Sequence, residues 1–294
     1  MNAFSKLIAA GQAGKASLDI AGQSGAIAAR VLQELATREL LSDPRYDNSG
    51  CLMRSRRQIF SQFGQDGIIT EIFRRIGTRD RKFVEIGVAP LESNSTYLLL
   101  QGWSGYWVDP TLPQDSDLPP DIDVLQREGQ LQLQRAFLRK ESALQLLRSI
   151  GVPDGLDLLV IDIDYNTYHI WRELCALNPR VICVEYNSHF PPDIEWVAPY
   201  KESGIWDMTI NYGASLKAFA ETGKNCGYAL VGCELSGTDA FFVRSDLVGD
   251  RFFAATSAEV HYEPPRFYLQ QTPGHQKGFT PSSEQIHGVT LPTS

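Results

Sequence analysis

The sequence predicts an open, doubly wound α/β sheet, and three observations point there. From Ser61 onward, short apolar runs alternate with amphipathic stretches, the pattern of parallel strands joined by helices. Acids stand at the ends of four of those runs, at Glu85, Asp109, Asp162 and Glu185, where an α/β sheet presents its ligand crevice. The last two runs, residues 229–233 and 240–243, flank a short stretch containing Gly237 and read as an antiparallel hairpin.

Bulk properties are consistent with this. A chain of 294 residues with 43% hydrophobic content can bury a sizeable core, as one large domain or one domain with extensions. A net charge of −8 gives a nucleic-acid role no electrostatic support. No window approaches the roughly 18 apolar residues of a membrane span. The Ala/Gly-rich start is broken by Gly11, Gln12 and Gly14, so it is not read as a signal peptide. Cys51, Cys175, Cys183, Cys226 and Cys233 are odd in number and contain no C-x-x-C pair. They read as thiols of a reduced, cytoplasmic protein, with Cys183 a small hydrophobe in a buried strand.

Residues 1–50 form a helical N-terminal extension, whose best pattern spans 27–41, with Ile27, Val31, Leu32 and Leu35 at helical spacing and Asp43-Pro44 as a stop. This helix either packs on the main domain or pairs with a second copy in a homo-oligomer. The α/β domain spans 51–250. It opens with a helical pattern over 61–77, capped by Gly77. Residues 83–86 make the first strand, 95–101 a helix, and 106–108 the second strand. The Pro- and Asp-rich stretch 110–123 is expected to be loop. A third strand falls at 131–133 and a helix at 141–150. The continuous apolar runs 156–163 and 180–185 are buried parallel strands, separated by a helix over 168–177. Another helix spans 215–222, before the terminal hairpin. Residues 251–294 form a C-terminal extension, aromatic until Phe279 and then polar and partly mobile.

Two constellations carry chemistry. In the first, Glu85, Gly87 and Asp109 frame a nucleoside cleft: Gly87 permits close approach of the backbone, Glu85 offers a carboxylate, and Asp109 sits where an acid hydrogen-bonds ribose hydroxyls. The turn reads G-V-A-P-L-E, which lacks the glycines a diphosphate cradle needs, so a phosphate-free adenosine ligand fits better. In the second, Asp162, Asp164, Glu185 and Asn187 finish two strands, and strand alternation puts each pair on one face. Such oxygen donors suit Mg²⁺ or Mn²⁺. His169 and His189 lie close by in sequence as candidate general bases. The competing reading makes these acids water-facing strand ends or helix caps.

Taken together, the segments SQFGQDGII, KFVEIGVAPLESNSTYLLLQGWSGYWVD, LDLLVIDIDYNTYHIW, RVICVEYNS, GASLKAF and GYALVGCELSGTDAFFVR resemble the FkbM-type branch of class I S-adenosylmethionine-dependent methyltransferases. The resemblance implies a seven-stranded Rossmann-like sheet with an antiparallel last strand. It implies methyl transfer to a hydroxyl of a sugar or secondary metabolite. It assigns Ser61 and Gln62 to a segment covering the cofactor, Glu85 and Gly87 to its methionine part, and Asp109 to its ribose. It places Asp162, Asp164, Glu185 and Asn187 where related metal-dependent O-methyltransferases hold a divalent ion. Where similar proteins carry a Gly-Asp-Gly-like turn, this chain has the bulkier Ala89-Pro90-Leu91.

The expectation is therefore an O-methyltransferase that uses S-adenosyl-L-methionine and a divalent ion, with Asp162, His169 and His189 in catalytic roles and a small-molecule or carbohydrate acceptor. A catalytically silent binding or assembly protein on the same fold is the main alternative. A metal-dependent hydrolase built on the acidic cluster is a weaker one. Trp196, Tyr200, Trp206, Tyr262, Phe267 and Tyr268 are candidates for stacking on the acceptor.

Overall fold

The computed structural model describes residues 25–89, 92–117 and 119–270. The polar tail expected after Phe279, and Pro90-Leu91 of the turn, lie outside the described residues. Seven strands build one sheet: β1 (Lys82–Ile86), β2 (Ser104–Val108), β3 (Leu131–Gln134), β4 (Leu158–Ile161), β5 (Val181–Glu185), β6 (Tyr228–Cys233) and β7 (Asp239–Arg244), in the order β3-β2-β1-β4-β5-β7-β6. The first five are parallel, and β7 runs antiparallel between β5 and β6. This is the expected Rossmann-like sheet with its antiparallel last strand. The chain winds outward from β1 through β2 to β3, then returns to lay β4 on the other side of β1. The topological switch point, where open α/β sheets bind ligands, is therefore the crevice at the carboxyl ends of β1 and β4.

Both faces of the sheet are covered, which is why its central strands read as continuous apolar runs. The described part of the N-terminal extension, residues 25–50, is helix α1 (residues 25–40) followed by a 3-10 turn at Pro44–Tyr46. Helices α2 (Gln65–Ile76), α3 (Thr96–Leu100) and α4 (Pro120–Arg127) lie on one face, against Phe83, Leu158, Val160, Val181 and Cys183. On the other face, α5 (Ala143–Ser149), α6 (Thr167–Leu174) and α7 (Leu216–Asn225) pack against Val84, Ile86, Leu159, Ile161 and Val184. The two sets of strand residues alternate in sequence, as a pleated strand requires. Each fully buried Leu, Ile or Val contributes roughly 1.5–3 kcal/mol. Short helices α8 (Ser245–Val248) and α9 (Ala258–His261) follow the sheet.

Some element boundaries differ from expectation, for local reasons. The stretch 110–123 is not all loop: α4 begins inside it at Pro120. A proline at the first helical position gives up an N–H that has no partner there anyway, and Asp121 and Asp123 meet the positive end of the helix dipole. Ile122 and Leu125 then bury against the core. Helix α2 starts at Gln65 rather than Ser61, because the Asp66 carboxylate turns back to accept the backbone N–H groups of Ile59, Phe60 and Ser61 at 2.7–2.9 Å. Strand β2 begins before Tyr106 because Gly105, lacking a side chain, lets it pass against the Phe83 ring.

The two chain extensions meet over the buried carboxylate of Glu263, which receives Tyr46, Arg45 and Arg266, while Tyr186 donates to the Glu263 carbonyl at 2.6 Å. On α1, Ala36 and Leu40 pack against the core, but Ile27, Val31, Leu32 and Leu35 are exposed. The Gln33 amide of α1 donates to the carbonyls of Tyr268 (2.9 Å) and Gln270 (2.8 Å), tying the helix to the segment after α9. Among the described residues, no helix is long and apolar enough to cross a membrane.

Candidate functional site

Strand register assembles the site. Val108, Ile86, Ile161 and Val184 form one paired row across β2, β1, β4 and β5. The next residue in each strand is Asp109, Gly87, Asp162 and Glu185, so three acids and a glycine emerge side by side at the switch-point edge. The row is pinned by N–H groups of Gly87 to the Val108 carbonyl (3.1 Å) and of Asp162 to the Ile86 carbonyl (2.9 Å). Above it lies a cavity of about 890 Å³. Glu85, Gly87, Asp109, Asp162, Asp164, Glu185, Gln62 and His189 all line it.

Gly87 has φ +83, and a Cβ there would overlap the Asp162 carbonyl. The glycine is thus required first by the close passage of β1 and β4, and only through that by any ligand. Glu85 is turned inward. Its oxygens accept the N–H of Asn94 (2.8 Å), the N–H of Ser95 (3.1 Å) and the Ser95 hydroxyl, which in turn accepts the Trp107 indole N–H at 2.8 Å. Burial pushes the Glu85 carboxyl up to about 7, against the pull of those donors. Its visible work is to hold the turn at 93–95 beside the cavity. Asp109 accepts the Val88 N–H (3.2 Å) through one oxygen and the Thr111 N–H (2.7 Å) and hydroxyl (2.6 Å) through the other, while remaining partly exposed on the cavity wall.

Asp162, Asp164 and Glu185 come together, with a carboxylate oxygen of each within 4.8 Å of the others. Strand alternation does not account for Asp164: β4 ends at Ile161, and Asp164 opens a 3-10 turn with φ +55 that swings it back over the cavity. A short polar side chain tolerates that left-handed conformation better than most. Burial, then the charges of Asp239, Asp164 and Glu85, holds Asp162 well above the usual carboxylate range. Glu185 is held up in the same way by burial and by Asp162 and Asp164. Glu185 Oε2 is buried without a hydrogen-bond partner. Three clustered acids with an orphaned buried oxygen and, among the described residues, no lysine or arginine in the cavity lining fit a hard divalent ion in donor type and in charge.

Other candidates are placed elsewhere. Asn187 is buried, and its Nδ2 donates to the carbonyls of Ile210 (2.8 Å) and Tyr212 (2.9 Å). It anchors a loop and is not among the residues that line the cavity. Its Oδ1 faces the backbone N–H and Nδ1 of His189, both at 3.2 Å. Because Nδ2 is committed to two carbonyls, that oxygen must accept, so His189 carries its proton on Nδ1 and leaves Nε2 as the basic nitrogen. His169 lies outside the cavity lining: it bonds the Ala198 carbonyl at 2.8 Å between Tyr168 and Tyr200, and burial lowers its pKa. Ser61 is also outside the lining and bonds Asp66 at 2.9 Å. Of the six aromatics singled out, Trp206 and Phe267 line the cavity. Trp196 stacks on Phe190, Tyr200 lies under the Lys140 ammonium, and Tyr262 donates to the Ser188 carbonyl.

Sequence reasoning missed three parts of the wall. Ala136, Phe137 and Leu138 follow β3, a carboxyl-end position that the switch-point rule could have flagged. Gln65 bonds Asp239 beneath the cavity, a pairing across 174 residues. The loop 204–212 contributes Ile205, Met208 and Ile210 beside the expected Trp206, apolar residues in an irregular stretch, which is itself a signal.

No protein-family model matches the chain, and no curated protein matches it. Among solved structures, an O-methyltransferase family protein from Burkholderia thailandensis overlaps 72% of this chain and 71% of its own, at 13% identity and a TM-score of 0.35. An overlap that loose carries no functional weight; the architecture is defined by the sheet order and register.

Proposed function

We propose that the chain is an S-adenosylmethionine-dependent O-methyltransferase acting on the hydroxyl of a small molecule or carbohydrate, assisted by a divalent ion. One observation carries the reading. The switch-point cavity is lined by Glu85, Glu92, Asp109, Asp162, Asp164 and Glu185 and, among the described residues, by no lysine or arginine. Such a wall offers the phosphates of a dinucleotide no cationic partner and suits a nucleoside that carries positive charge. A sulfonium cofactor is both.

When bound, S-adenosylmethionine supplies an electrophilic methyl carbon, and a divalent ion supplies positive charge that favours the deprotonated acceptor hydroxyl. The residues provide the rest. Asp109 would hold the ribose hydroxyls, its oxygens oriented by Val88 and Thr111. Glu85 fixes the turn that walls the methionine end. Asp162, Asp164 and Glu185 would hold the ion. His189, with Nε2 free and Nδ1 fixed by Asn187, accepts the acceptor's proton. Orientation is the main contribution, because an in-line transfer between two bound partners gains most from placement.

Titration calorimetry with S-adenosylmethionine, with and without Mg²⁺, tests this. Binding is expected in both conditions, with Mg²⁺ itself binding to the wild type. Absence of heat from the cofactor in either condition would sink the proposal.

A further inference from the structure

Beyond the acidic floor, the mouth of the cavity has a different chemistry. Phe137, Ile205, Trp206, Met208, Ile210 and Phe267 all line it and all are exposed large apolar side chains, Ile205 at 76% and Met208 at 80%. Apolar groups this exposed and this concentrated mark a surface that covers something. Four of the six belong to the loop 204–212, which is built to hold its shape. The Trp206 indole N–H donates to the Thr209 carbonyl at 2.7 Å, and Asp207 accepts the Thr209 N–H (3.1 Å) and hydroxyl (2.5 Å). This turn keeps Met208 at φ +65, a left-handed conformation that a methionine rarely adopts. The loop is tied down at both ends beside the acids. Asn166, two residues after Asp164, donates to the Lys201 carbonyl at 2.7 Å, and Asn187, two residues after Glu185, holds the carbonyls of Ile210 and Tyr212.

We propose that loop 204–212 is an acceptor-selecting flap, and that the acceptor is an alcohol or phenol without negative charge, carried on an apolar body. Bare polyols and phosphorylated sugars are excluded by the same features. An apolar mouth offers a polyol few partners for the water it must shed, and an acidic floor lined, among the described residues, by no lysine or arginine offers phosphate no partner. This narrows the acceptor class of the proposed methyltransferase and rests on that reading for the word acceptor, though not for the selectivity.

The test is a set of binding titrations on the full chain, saturated with S-adenosylhomocysteine, using 2-naphthol, methyl α-D-glucopyranoside and glucose 6-phosphate as probes. The same titrations are made on the double variant Ile205→Ser, Met208→Ser, whose side chains are exposed and whose folding is checked by its thermal melt. The expected result is 2-naphthol binding at least about tenfold tighter than either sugar, and a loss of about tenfold for 2-naphthol in the double variant. Equal or tighter binding of a sugar, no binding of 2-naphthol, or a 2-naphthol affinity unmoved by the double variant would each overturn the assignment. If S-adenosylhomocysteine does not bind but 2-naphthol does, with the expected loss, the methyltransferase reading fails and the selective flap stands.

Discussion

Gly87 occupies the point where β1 passes β4, and every other candidate is referred to it. With φ +83 and the Asp162 carbonyl in the space of its missing Cβ, the position combines a disfavoured backbone conformation with a steric overlap. Gly87→Ala is expected to destabilise the fold by about 2 kcal/mol or more, measured by urea unfolding. A loss below about 0.5 kcal/mol would mean that the strands separate easily there and that the glycine serves a ligand instead. Residues of this kind were legible in the sequence. Glu85, Gly87, Asp109, Asp162 and Glu185 sit at or next to strand ends, where apolar pattern and punctuation locate them. Ser61, His169 and Asn187 lie outside the cavity lining, and the sequence does not show this because what decides a polar side chain's place is its partner. The carbonyls of Ala198, Ile210 and Tyr212 lie 23–29 residues away in sequence and have no signature there.

At the scale of elements, the loop after β5 shows the same division. Its apolar content was visible, but its seat over the cavity depends on Asn187, whose amide cannot be oriented from sequence. Asn187→Ala leaves the buried Tyr212 carbonyl and the half-buried Ile210 carbonyl without their donor and removes the partner of His189 Nδ1. The expected cost is about 2 kcal/mol or more in urea unfolding. Because the Asn187 amide is committed to Ile210, Tyr212 and His189 and does not line the cavity, the Mg²⁺ affinity of this variant by calorimetry should match the wild type within about threefold, whereas Asp162→Ala should weaken Mg²⁺ at least about tenfold. Equal losses of Mg²⁺ affinity in the two variants would make Asn187 a ligand after all. Helix α4 gives the complementary lesson. Pro120 and the acids behind it looked like loop composition, yet a proline at the first helical position with acids in the first turn is also a helix start. The outcome was decided by Ile122 and Leu125 finding the core.

For the whole molecule, the buried acids give stability a definite dependence on pH. Glu85 titrates at about 7 rather than 4.5, and Asp162 and Glu185 are raised well above their usual range. A carboxyl whose folded value is raised favours the protonated fold, so its stabilisation is complete below the unfolded value and is lost as pH rises through the folded one. The buried His261 and His169, lowered from 6.5, act in the opposite sense, and their effect is complete near that pH. The acids therefore dominate the window from about pH 7 to 8, above the histidines and below the thiols Cys51, Cys175, Cys183 and Cys233, which burial raises from 9.0 and which act in the same sense as the acids. Thermal melts in EDTA should show Tm falling by several degrees across it, and millimolar Mg²⁺ should recover part of the loss at the upper end. A Tm that is flat or rising in EDTA would contradict the buried-acid description.

The proposed function puts a cofactor over the β1–β4 crevice, at the carboxyl ends of the strands. Diffraction from crystals grown with saturating S-adenosylhomocysteine tests that most directly. The expected result is ligand density over Gly87, with the ribose hydroxyls against Asp109 and the sulfur on the side of Asp162. An empty crevice at saturation, or the nucleoside bound elsewhere on the molecule, would contradict it.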